Sequence, residues 1–121
     1  MNRSAEPYIR FIWDALVQLE EYRPETYDLY MSNHLAQDAI LMRLFQIGEN
    51  LVRIRRLDIE AFSEHAPESW HKLIGLRNVI SHGYEDVNPE QIWSILTAGL
   101  AEFAATLENM DLLTGLPLAD G

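Results

Sequence analysis

Apolar residues recur at intervals of three and four along most of this chain, and no stretch of useful length shows the alternation a strand requires, so the fold available to it is helix packed on helix. Ile9, Ile12, Trp13, Leu16 and Leu19 fit one stripe, which predicts a first helix over residues 5–22 with Ser4 as N-cap. Pro7 falls in its first turn, where a missing N–H does no harm. Pro24 interrupts the pattern, Thr26 can cap a short turn of helix, and Asn33 opens a long segment in which Ile40, Leu44, Ile47, Leu51 and Ile54 share a face to about Arg56. No proline separates that segment from Tyr27–Met31, so a helix continuous through both is the alternative to a restart at Asn33. LDIEAFSEHAPESW reads as a connection, and Pro67 starts a helix carrying Trp70, Leu73, Ile74, Arg77 and Ile80 that Gly83 and the polar EDVNP bring to an end. NPEQ restarts the chain with Asn88 as N-cap and Pro89 at the first helical position. Ile92, Leu96, Leu100, Phe103 and Leu107 then form a stripe to about Met110, followed by a tail, residues 111–121, expected to be mobile. Four or five amphipathic helices with modest connections predict an all-α antiparallel bundle in a single domain with its core over about residues 5–110.

A length of 121 residues, 48% of them hydrophobic, is enough for one such core. Nine basic residues against nineteen acidic ones give a net charge of -10, which argues against broad, non-specific nucleic-acid binding and confines any phosphate contact to a local patch. The arginines are clustered: Arg53, Arg55 and Arg56 close the long helix, where they can favour its C-terminal dipole or meet phosphate. The absence of cysteine removes disulfides and thiolate chemistry, and with charged residues in MNRSAEPYIRF and no span of about 20 apolar residues the expectation is a cytoplasmic protein. Glu68 and His71 make one Glu-x-x-His spacing, but a di-metal bundle needs a second such pair and further glutamates, so no metal and no cofactor are expected.

Two places invite chemistry. Gly48 lies inside the long helix, where glycine costs about 1 kcal/mol relative to alanine, so a neighbouring helix is expected to cross there. Glu49 beside it is either solvated or turned inward to hold a cation such as Arg77. The second place is RNVISHGYEDV, where Arg77, His82 and Tyr84 crowd a helix end. On a continuous helix Arg77 and Tyr84 lie about 20° apart while His82 lies about 140° from Arg77. A common site therefore requires either a turn of the chain at His82, which Gly83 permits, or a second copy across a two-fold axis. Histidine titrates near neutrality and can take a proton from a ribose 2′-hydroxyl or return one to a leaving oxygen, and arginine's planar donors match phosphate. Together they could cleave RNA without a metal, leaving a 2′,3′-cyclic phosphate.

WHKLIGLRNVISHGYEDVNPEQIW resembles the signature of the HEPN superfamily in its HepT-like branch, with Arg77, Asn78, His82 and Tyr84 matching position by position. RLFQIGENL, containing Ile47, Gly48 and Glu49, resembles the helix-two pattern of the same branch. The resemblance implies an all-helical homodimer with paired motifs lining an interfacial cleft, and a metal-independent ribonuclease toxin with Arg77 and His82 catalytic and Asn78 and Glu49 in support. It further implies a nucleotidyltransferase antitoxin of the MNT type that attaches adenylyl groups to Tyr84. Phosphate and bulk beside Arg77 and His82 would then block RNA. A HEPN module that binds nucleotides or regulates a partner without cleaving is the alternative the same residues allow.

Overall fold

The computed structural model describes residues 5–108, which form helices and short turns with no strand among them. The first helix, α1, spans Glu6–Tyr22, carries Pro7 at its start and buries Ile9, Ile12, Ala15 and Leu19. Ala5 flanks it; the expected cap Ser4 lies outside the described residues, as do Met110 and residues 111–121.

The short helix α2, Tyr27–Ser32, is capped by the Thr26 hydroxyl, which accepts the Leu29 amide at 3.1 Å. It is not continuous with the long helix after it. Asn33 leaves helical geometry at φ -115 and ψ 89, and its side chain accepts the Ala36 amide at 3.0 Å, so one residue ends α2 and caps α3, His34–Leu57. A favourable cap breaks the chain here without a proline.

The segment read as a connection contains a further helix. Asp58 accepts the Ala61 amide at 3.1 Å and opens α4, Ile59–His65, whose Phe62 is fully buried against Trp70 at 5.9 Å between ring centroids. With about two turns and few apolar residues, α4 shows no usable periodicity in sequence; burial of Phe62 holds it in place. From Pro67 the chain enters α5, Glu68–His82, and Gly83 ends it with φ 155 and ψ 142, a region that residues with a Cβ rarely enter. A single 3-10 turn, Tyr84–Asp86, leads to Asn88, whose side chain accepts the amides of Glu90 and Gln91 and starts α6, Pro89–Ser94.

The last stripe is interrupted by one wide turn. Ile95–Gly99 is a π-helical segment joining α6 to α7, Leu100–Glu108, and within it the Thr97 hydroxyl donates to the Trp93 carbonyl at 2.9 Å. Ile92, Leu96, Phe103 and Leu107 still reach the core, whereas Leu100 is half-buried.

Helix α3 is the centre of the bundle, packed along α1 on one side and α5 on the other, which is why Ile40, Leu44, Ile47, Leu51 and Ile54 are all inaccessible to solvent. Gly48 of α3 meets Leu73 and Arg77 of α5, so the chain has turned through α4 and α5 runs back antiparallel to α3. Trp70 ties α5 to α7: its indole N–H donates to Thr106 Oγ1 at 2.7 Å and its ring meets Phe103 edge-on at 6.1 Å.

Candidate active site around Arg77

The crossing of α3 and α5 builds the site. A Cβ added at Gly48 would collide with Arg77 Cβ and lie 3.0 Å from the Leu73 carbonyl oxygen, so only glycine allows the helices this approach. The expected packing reason for that glycine is thus the arginine itself.

Once α5 is pressed onto α3, the Arg77 guanidinium is fixed from several sides. Its Nη2 donates to Glu49 Oε2 at 3.2 Å, Nη1 donates to Asn78 Oδ1 at 2.7 Å, and the cation stands 5.9 Å from the centroid of the Phe45 ring. Arg77 Nε is buried without a hydrogen-bond partner among the described residues. The side chains of Arg77 and Glu49 remain 25% and 28% exposed, enough for a solute to reach the pair and too little for the guanidinium to swing freely. Glu49 is therefore turned inward onto Arg77, one of the two possibilities its position allowed. Asn78 orients the same guanidinium. Phe45 was not singled out from sequence, although its place one helical turn before Glu49 sets it on the same face of α3.

His82 is brought less close. Helix α5 keeps its geometry through His82 and stops only at Gly83, so the imidazole stays in helical register, about 140° around the axis and about 7.5 Å along it from Arg77. The imidazole is exposed at the end of the helix. Tyr84 opens the 3-10 turn just beyond, 46% exposed, with Glu85 and Asp86 following it. Gly83 is held by its own amide, which reaches the Val79 and Ile80 carbonyls at 3.3 and 3.2 Å, so the step from His82 to Tyr84 is a fixed bend.

Within one chain this gives a clamped guanidinium on the α3–α5 seam, a solvent-facing imidazole past it and an exposed phenol at the tip. The first can hold a phosphate oxygen, the second can carry a proton, and the third can be modified. The remaining histidines belong elsewhere: His34 begins α3, His65 lies 3.6 Å from Glu64, and His71 meets the Phe62 ring edge-on at 5.4 Å. Among the described residues, no three histidine or acidic side chains cluster as a metal would require, and no helix is long and apolar enough to cross a membrane.

The family described as Ribonuclease HepT-like matches residues 12–110, a span that contains Glu49, Arg77, Asn78, His82 and Tyr84. No curated protein and no solved structure gives a significant match.

Proposed function

The chain belongs to the HepT-like ribonuclease family, and from that premise we propose that it is a metal-independent endoribonuclease toxin that uses Arg77 and His82 and is silenced by adenylylation of Tyr84. The observation that carries this reading is the clamp on Arg77: a guanidinium held by Glu49 and Asn78, one quarter exposed, at a helix crossing so close that it requires glycine at position 48.

In the proposed reaction the ribose 2′-oxygen attacks the neighbouring phosphorus and its proton passes to an imidazole. The bond from phosphorus to the 5′-oxygen breaks, an imidazolium returns a proton to that oxygen, and the products are a 2′,3′-cyclic phosphate and a 5′-hydroxyl. Arg77 stabilises the charge that gathers on the non-bridging oxygens at the midpoint. Because His82 points about 140° away from Arg77 on its own helix, the reading includes a homodimer in which a second copy brings another imidazole to the cleft.

Tyr84 fits the regulatory half of the proposal. Its exposed phenol can attack the α-phosphorus of ATP in the active site of an MNT-type nucleotidyltransferase, releasing pyrophosphate and leaving an adenylyl group on the turn next to His82. The added phosphate charge and bulk would compete with RNA.

A non-cleaving nucleotide-binding or regulatory module is the second reading, and one observation favours it: Arg77 already donates to two acceptors. Incubating the purified protein with RNA in excess chelator separates the two. Cleavage predicts cyclic-phosphate ends that disappear in both Arg77→Ala and His82→Ala. Equal cutting by wild type and both variants, or none by wild type, refutes the enzyme. Coexpression with the cognate transferase should add whole adenylyl masses to wild type and none to Tyr84→Phe; unchanged labelling of that variant removes Tyr84 as acceptor.

A further inference from the structure

We infer that Arg53 and Arg56 form a phosphate-binding strip that carries the RNA strand away from Arg77 along the exposed face of α3, an inference that rests on the ribonuclease reading above. The face is defined by burial. In the second half of α3 the residues at 47, 48, 50, 51, 52 and 54 are buried, while Arg53 and Arg56 are exposed. On helical geometry Arg53 lies about 40° from Glu49 and Arg56 about 20° to its other side, so both continue the line on which Glu49 meets Arg77. They stand about 6 Å and about 10.5 Å further along the axis. Since α5 runs antiparallel, this is the direction away from His82 and Tyr84. The strip and the imidazole therefore flank Arg77 on opposite sides.

Charge supports the assignment. In a chain of net charge -10, Arg10, Arg23 and Arg77 are paired with carboxylates, yet among the described residues Arg53 and Arg56 form no ion pair. Arg53 Nη1 donates to the amide oxygen of Asn50 at a long 3.5 Å, and Asp58, the acid next along the chain, accepts the Ala61 amide and so caps α4. The dipole of α3 favours cations in its last turn, which accounts for Arg55 and Arg56 but not for Arg53, a turn nearer the site. Single-stranded RNA presents a row of phosphates to which unpaired guanidinium groups in line with Arg77 are complementary.

The test is the salt dependence of RNA binding. A fluorescent 2′-O-methyl RNA oligonucleotide, which cannot undergo internal attack, is titrated with full-length protein from low to moderate salt by anisotropy. Each phosphate contact to a single strand contributes about -0.7 to the slope of log K against log salt concentration. Arg53→Ala/Arg56→Ala should therefore flatten the slope by about 1.4 and each single change by about 0.7. Arg53→Lys/Arg56→Lys should restore it, and Arg10→Ala, at an exposed pair on α1, should leave it as in wild type. A slope unchanged in the double alanine variant overturns the strip and would assign these arginines to a protein partner or to solvent. That failure is distinguishable from failure of the nuclease: cyclic-phosphate ends with an unaltered slope reject the strip alone, a flattened slope without such ends rejects cleavage alone, and absence of RNA binding rejects both.

Discussion

Replacing each of two helical glycines by alanine should move stability in opposite directions, because only one of them stands at a helix crossing. Alanine is favoured over glycine in a helix interior by about 1 kcal/mol. At Gly75, on the exposed side of α5, a new Cβ would meet nothing within 4 Å, so Gly75→Ala should realise most of that gain and raise the melting midpoint by about 4 °C. At Gly48 the new Cβ would collide with Arg77 Cβ and stand 3.0 Å from the Leu73 carbonyl oxygen and 3.1 Å from Arg77 Cγ. A backbone oxygen and a Cβ cannot rotate aside, so α5 itself must move off α3. Overpacking of this kind costs about 1–3 kcal/mol, and the hydrogen bond between Arg77 and Glu49 adds about 1 kcal/mol to the loss as it lengthens. Set against the propensity gain, Gly48→Ala should be destabilised by about 1–3 kcal/mol. Urea unfolding followed by helical circular dichroism, at one fixed protein concentration so that any association is held constant, reads both values. Stabilisation of Gly48→Ala equal to that of Gly75→Ala would refute the close crossing and with it the account of how Arg77 is held.

Two further outcomes are expected. Glu49→Ala and Arg77→Ala, made singly and together, should show a coupling of about 1 kcal/mol in unfolding free energy, between the values for a fully exposed ion pair and for a buried charged hydrogen bond; strictly additive losses would dissolve the pair. Tyr30 provides an alkaline test. Burial, and secondarily Tyr27, pushes its phenol up to about 12 from 10.0, so the unfolded chain ionises first. The contribution of Tyr30 is therefore fully present below about pH 10 and lost as pH rises through about 12. Unfolding free energy should fall over that window in wild type and fall less in Tyr30→Phe, and identical profiles would contradict the burial.

The caps at Thr26 and Asn88 and the stop at Gly83 were legible in the sequence because each acts within a few residues of itself. The apolar stripes of α1, α3 and α5 were legible for a related reason: a helix must bury one face, and the period of that face is written residue by residue. Helix α4 was not legible, since two turns give too little periodicity and its place depends on Phe62 reaching Trp70 from a different helix. At Asn33 the sequence offered both a restart and a continuous helix, because a side-chain cap competes with continuation and wins by a margin that pattern alone does not reveal. The π turn at Ile95–Gly99 was likewise invisible, because the stripe on either side of it keeps nearly the same residues inward.

The site divides along the same line. By itself the sequence singled out the candidate residues, Arg77, Asn78, His82 and Tyr84 with Glu49 upstream, since side-chain type and local spacing are covalent facts. Only the tertiary structure decided that Glu49 turns onto Arg77 rather than into water, that Phe45 lies under the cation, and that His82 keeps its helical bearing away from both. Those outcomes depend on how closely two helices approach, and that distance is set by a missing Cβ at Gly48 meeting a residue 29 positions along the chain, a relation between surfaces that no local pattern contains.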